Sequence, residues 1–154
     1  MKYYDYNNFR DDTKILLQKL HNTNYDTIVA ITRGGLTLAH ALSQGLNIRD
    51  VQSIQSKHYE DSTKLSSIVI SANLIFSEDV KKVLIVDDIS DSGDTLSAVT
   101  AYLKDSFRDI EFDTCTLFYK RTSIYEPTYW ICEANDWIDF FWEADFKIAY
   151  RKYK

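Results

Sequence analysis

A chain of 154 residues with 45% apolar and 14% aromatic residues has the length and the material to bury a core, which excludes a disordered protein. Its 18 basic and 23 acidic residues leave a net charge of −5, so no basic surface offers itself to nucleic acid. Four glycines and one proline, against average usage of roughly 7% and 5%, exclude collagen, low-complexity linkers and a glycine-turned β-sandwich.

No apolar run approaches the ~20 residues of a membrane span, and the opening MKYYDYNNFRDD is too polar for a secretory leader. Cys115 and Cys132 are too few for a disulfide framework or a zinc site, which points to a reducing, cytoplasmic setting.

Residues 7–21 pattern as a helix: Asn8 is expected to cap it, Asp11 and Asp12 suit its positive end, and Phe9, Leu16 and Leu20 share one face. TIVAIT (27–32) is short, apolar and β-branched, as a buried strand is. RGG follows, then a helix over 36–45 with Gly45 expected as its C-terminal stop. Strands are expected over 51–59 and 66–71, with the polar stretch 58–67 between them as a mobile loop. KKVLIVDD (81–88) is the strongest strand pattern; it runs through ISDSGDT into a helix with Leu96, Val99, Leu103 and Phe107 on one face. Strands over 113–120 and 128–134 follow. The alternation predicts an α/β fold, a mostly parallel twisted sheet flanked by helices. Ligands of such sheets bind at the carboxyl ends of the strands, here just after residues 32, 86 and 119.

At the second of these ends, VLIVDDISDSGDT brings five polar groups together. Asp87 and Asp88 suit sugar hydroxyls or a Mg²⁺ held through water. Gly93 opens a helix whose N–H groups can cradle a phosphate, and Ser92 and Thr95 add hydroxyls. After residue 32, Arg33, Gly34 and Gly35 combine a bidentate phosphate binder with exposed backbone N–H groups; alone, RGG is equally an ordinary strand-to-helix turn. Lys120 ends a strand at the same sheet edge, where its ammonium can donate to a base carbonyl. Near the C-terminus, WIDFFWE (137–143) is dense in rings that stack on heterocycles, although Phe140, Phe141 and Trp142 read better as core or an oligomer contact.

VLIVDD alone is similar to the first strand of a response-regulator receiver, but some 80 residues precede it here. The full VDDISDSGDT string resembles the phosphoribosyl pyrophosphate (PRPP) loop of type I phosphoribosyltransferases. RGGL, that loop, the strand-end lysine and WI-x-x-x-W-[DE] follow in the order found in xanthine-guanine phosphoribosyltransferases, over nearly the full length. The resemblance implies one domain, a core over about 1–120 and a small C-terminal hood over about 121–154, acting in purine salvage on PRPP and a 6-oxopurine (guanine, xanthine or hypoxanthine).

It implies that Arg33, Gly34 and more loosely Lys64 bind pyrophosphate, that Asp87 and Asp88 hold the ribose hydroxyls with Asp88 in the Mg²⁺ shell, and that Ser92, Gly93, Asp94 and Thr95 wrap the 5′-phosphate. Asp91 is the implied general base beside the imidazole edge of the purine. Lys120 meets the oxygen at position six, Trp137 stacks on the base, and Trp137 and Ile138 meet the position-two substituent through their backbone. Ser92 stands where threonine is usual, and Asp94 places an acid beside a dianion. The resemblance also implies a homodimer or homotetramer. Residues 58–67 suit either a lid, with His58 facing the site on closure, or a plain surface hairpin. The alternative function is a non-catalytic PRPP-sensing regulator of the same fold; such regulators usually carry an added DNA-binding segment, for which this chain has no room.

Overall fold

The structure, a computed structural model, describes residues 1–60 and 66–147. In chain order the elements are β1 (Lys2–Tyr4), α1 (Tyr6–Leu20), β2 (Thr27–Thr32), α2 (Leu36–Leu46), β3 (Val51–Glu60), β4 (Ser66–Ala72), β5 (Lys82–Val86), β6 (Ile89–Ser90), α3 (Asp94–Ser106), β7 (Glu111–Cys115), β8 (Phe118–Tyr119), β9 (Cys132–Glu133), β10 (Ile138–Phe140) and α4 (Phe141–Ala144). Lys64, Tyr150, Arg151, Lys152, Tyr153 and Lys154 lie outside the described residues, as does the middle of the 58–67 loop.

The main sheet has the order β4-β3-β2-β5-β7, with β3, β2, β5 and β7 parallel and β4 antiparallel at one edge. Strand alternation sends Ile28, Ala30, Leu84 and Val86 to the face packed against Leu16 and Leu20 of α1 and Leu38 and Leu42 of α2. Val29, Ile31, Val83 and Ile85 face Leu96, Val99 and Leu103 of α3. Both faces are therefore covered, which is why β2 and β5 read as continuous apolar runs. A second, three-stranded sheet, β6-β8-β9, continues from the carboxyl end of the first, and β1 pairs with β10.

The expected elements are present with shifted edges. Asp5, not Asn8, caps α1: its Oδ1 accepts from the Asn8 N–H at 2.8 Å, because the buried Tyr4 forces the chain to turn before residue 6. Gly45 lies inside α2, where a Cβ would meet the Leu17 methyls at 2.5 Å; Asn47, in the left-handed region at φ 54°, ends the helix. Residues 58–60 continue β3 and 66–67 belong to β4, so the loop is shorter than 58–67. The 81–88 strand stops at Val86, leaving both aspartates beyond it. The strand expected over 113–120 is two strands, and that over 128–134 narrows to β9.

The N-terminal KYY had no strand pattern. Yet Tyr4 is 1% exposed, its ring edge-on to Phe118 and Phe140 at 5.0 and 5.8 Å, and its hydroxyl donates to Asp12 Oδ2 at 2.7 Å. Phe140 and Trp142 stack at 4.6 Å on the same cluster, so the aromatic run is largely core. Tyr4→Ala should lower unfolding free energy by roughly 3–5 kcal/mol and Tyr4→Phe by only about 1 kcal/mol, measured by urea denaturation.

Candidate active site

β5 delivers Asp87 and Asp88 to its carboxyl end, each 9% exposed. Their backbone is pinned: the Asp87 N–H donates to the Cys115 carbonyl at 3.1 Å, and the Asp88 carbonyl accepts from Leu117 and Phe118, both at 3.1 Å. The Asp88 N–H donates to Asp87 Oδ1 at 2.9 Å. Burial, reinforced by the neighbouring Asp88 charge, pushes the Asp87 carboxyl well above its ordinary range. Burial also raises Asp88, to about 6; the Glu143 charge adds to this, and the hydrogen bond with Asp87 opposes it.

The chain then turns through Gly93, whose φ of 86° a side chain rarely tolerates. A Cβ there would also collide with the Ser123 hydroxyl and meet the Tyr125 N at 2.7 Å. Gly93 occupies the cap position of α3 and has no side chain to cover the first N–H groups of that helix, of which the Asp94 N–H donates to Ser92 Oγ at 3.2 Å. They border a cavity of about 290 Å³ whose walls include Asp87, Asp88, Ser92, Gly93 and Thr95. Asp94 is exposed and stands outside that lining, so its carboxylate need not oppose a bound anion.

Arg33 and Gly34 occupy the turn after β2, the neighbour of β5 in the sheet. A Cβ on Gly34 would meet Asp88 Oδ2 at 2.5 Å, so glycine is what lets the two loops touch. The Thr32–Arg33 peptide is cis. Arg33 and Gly34 line a cavity of about 400 Å³ together with Thr37, Trp142, Glu143 and Lys147.

Lys120 follows β8, its N–H donating to the Ser90 carbonyl at 3.0 Å. Its Nζ lies 3.2 Å from Asp91 Oδ1, both side chains about half exposed. This pair borders a third cavity, of about 390 Å³, with Trp137, Ile138 and Phe140 on its wall. Trp137 is 65% exposed and Ile138 is buried. The Trp137 carbonyl already accepts from the Lys2 N–H at 2.8 Å, which leaves it one lone pair.

Apart from Lys64, then, every expected site residue except Asp94 falls on one of three adjoining cavities. Asp88, Ile89 and Asp91 are shared by the cavities of 390 and 290 Å³, and Glu143 by those of 390 and 400 Å³. Sequence reasoning did not assign Asn135, Asp136 or Glu143 to the site. Glu143 was within reach, as the acid closing WI-x-x-x-W-[DE]; Asn135 and Asp136 carry no local signal.

Two carboxylates fit a hard divalent cation, and among the described residues no cluster of three or more His, Cys, Asp or Glu is arranged to hold a metal ion. Their oxygens are hard donors of the kind that Mg²⁺ takes.

The model of the phosphoribosyl transferase domain family matches residues 2–150. The chain belongs to that family. It is 26% identical, over 136 residues, to a xanthine-guanine phosphoribosyltransferase of Idiomarina loihiensis, spanning 87% of this chain and 81% of that one. Among solved structures it is similar to the Helicobacter pylori xanthine-guanine-hypoxanthine phosphoribosyltransferase, with TM-score 0.88, 34% identity and coverage of 95% and 96%. A purine phosphoribosyltransferase from Pyrococcus horikoshii superposes with TM-score 0.83, 30% identity and coverage of 92% and 93%.

The raised carboxyls bear on stability. A group that binds its proton more tightly when folded makes stability fall as pH rises, here from the ordinary value near 3.8 through about 6 for Asp88. Asp88→Asn removes that charge and should raise the Tm at pH 8 by roughly 3–6 °C, with little change at pH 4.5, in calorimetric scans without Mg²⁺ or nucleotide.

Proposed function

We propose that this protein transfers the phosphoribosyl group of PRPP to a 6-oxopurine, releasing pyrophosphate and the nucleoside monophosphate, in purine salvage. The Lys120–Asp91 pair carries this reading. On a 6-oxopurine the O6 oxygen and the N7 nitrogen are neighbours along one edge. A lysine donor 3.2 Å from a carboxylate acceptor is complementary to that edge: ammonium to O6, carboxylate to N7–H. Adenine would set an amino donor against the ammonium and leave it unpaired, at a cost of several kcal/mol in a closed site.

In this reaction Trp137 stacks on the base, and the Ile138 and Trp137 backbone meets position two. Asp87 and Asp88 accept from the ribose hydroxyls. The 5′-phosphate rests on Ser92, Gly93, the backbone of Asp94, and Thr95, and Arg33 and Gly34 bind pyrophosphate. As N9 bonds to C1′, the C1′–O bond to pyrophosphate breaks and Asp91 takes the N7 proton. The surrounding carboxylates favour the positive charge that develops on the sugar, and Arg33 stabilises the negative charge on the departing group. Mg²⁺, entering with PRPP on Asp88, would supply further neutralisation of the pyrophosphate. Residues 121–154 serve as the base-binding hood, and Lys64 adds charge for the pyrophosphate. The reading extends to a cytoplasmic homodimer or homotetramer; both cysteines are free, and among the described residues no helix is long and apolar enough to cross a membrane. A PRPP-sensing regulator is the less favoured alternative, since a sensor has no use for a base-sized cavity beside the sugar site.

Purified protein with Mg²⁺ and PRPP should form nucleotide from guanine and from at least one of hypoxanthine and xanthine, and none from adenine, by chromatography of the products; no nucleotide from any 6-oxopurine defeats the proposal. Asp91→Asn should lower turnover by at least ~100-fold, the scale of lost general-base help. Lys120→Ala should raise KM for guanine about tenfold or more and weaken the discrimination against adenine.

A further inference from the structure

The cavity of about 290 Å³ is built almost wholly from one stretch of chain, Asp87 to Leu96, and among the described residues His58 is its one wall residue from elsewhere. His58 stands near the end of β3, and its Nε2 lies 3.2 Å from Thr95 Oγ1 on the first turn of α3. The titratable groups around it are one-sided. The cavity wall contributes Asp87, Asp88 and Asp91, and the start of α3 adds the exposed Asp94. β4 places the apolar Ile68 opposite His58, and Lys57 and Tyr59, its neighbours on β3, alternate to the other face. The wall holds no lysine or arginine among the described residues. A phosphate entering this cavity meets three carboxylates, and among the described residues the one side chain on its wall able to carry positive charge is His58.

We infer that His58 is a positioning residue for the 5′-phosphate, an inference that rests on the proposed function. As imidazolium it donates from Nε2 to Thr95 Oγ1. That occupies a lone pair of the hydroxyl and leaves its O–H free to donate into the cavity, while the ring's charge offsets the carboxylates. As neutral imidazole with Nε2 as acceptor, the ring takes the Thr95 O–H for itself and turns it away from the phosphate. Lower pH favours the imidazolium over the neutral ring, so the grip on the phosphate should tighten toward acid. The 5′-phosphate responds to pH with the opposite sign, since its dianion is favoured by alkali. A variant must therefore be compared with the wild type at each pH.

The test is calorimetric titration with GMP, which carries the 5′-phosphate and needs neither metal nor turnover. His58→Ala should weaken GMP about tenfold at pH 6 and less than about threefold at pH 8, the size of one charge-assisted hydrogen bond gained and lost. His58→Gln, whose amide N–H can also donate to Thr95 without charge, should lie between the two at pH 6. Lys57→Ala, which removes a charge from the other face of β3, should follow the wild type at both. Guanosine, which lacks the phosphate, should bind wild type and His58→Ala alike. GMP binding unchanged in His58→Ala, or weakened equally at both pH values, overturns the role of His58 and leaves the functional reading standing. A wild type that binds neither GMP nor PRPP overturns that reading itself.

Discussion

Two adjacent carboxyl groups held away from water at the end of the central strand are the constraint around which this site is arranged. Asp87 and Asp88 each lose most of their hydration, and among the described residues neither takes part in an ion pair. The Asp88 carbonyl is tied to two successive N–H groups of the segment entering β8, and Gly34 closes the other side within contact distance of the Asp88 carboxylate. The protein thus keeps an arrangement that is unfavourable with both groups ionised, a cost in stability that is common at functional sites.

The topology makes that arrangement possible without long loops. β2 and β5 are neighbours in the sheet and both feed a helix through a glycine turn, so the Arg33 and Gly93 turns are brought side by side although some 60 residues separate them. Parallel neighbours necessarily point their carboxyl ends the same way, and covered faces leave that edge as the open surface of the sheet. The small β6-β8-β9 sheet grows from the same edge, which is how Lys120 comes to stand beside Asp91.

What the sequence made legible was local. β2, β5, α2 and α3 announce themselves by periodicity, and the two turns at the sheet edge by glycine in a chain that otherwise avoids it: three of its four glycines, Gly34, Gly35 and Gly93, lie where a Cβ would strike backbone or the Asp88 carboxylate. What stayed hidden depends on distant partners. KYY is a strand only because residue 2 meets residue 138, and Tyr4 is core only because Phe118 and Phe140 surround it. The run 113–120 looks continuous, but the N–H groups of Leu117 and Phe118 turn to the Asp88 carbonyl and break the ladder that a straight strand would keep. Asp5 prevailed over Asn8 although both are good caps, since the choice was made by where Tyr4 had to be buried. Asn135 and Asp136 reach the site for the same reason: the β1–β10 pairing holds that segment against Lys120, and no short-range pattern encodes it.

The way the cavities join also constrains the chemistry. The cavities of about 390 and 290 Å³ share Asp88, Ile89 and Asp91, so a ligand spanning both must cross that wall. In the proposed reaction the atom at the crossing is the sugar carbon that exchanges partners, beside Asp88 and Asp91. The turn carrying Asp91 is held in place by hydrogen bonds from Ser90 to Tyr125 at 2.7 Å and from the Ile124 N–H to the Ser92 carbonyl at 2.9 Å. The 123–125 segment lines neither of these cavities, yet it braces the Ser90–Gly93 turn from beneath. The collision a Cβ at Gly93 would make with this segment shows how closely the two loops are fitted. Reaction geometry here depends as much on the packing beneath the loop as on the residues that face the ligand.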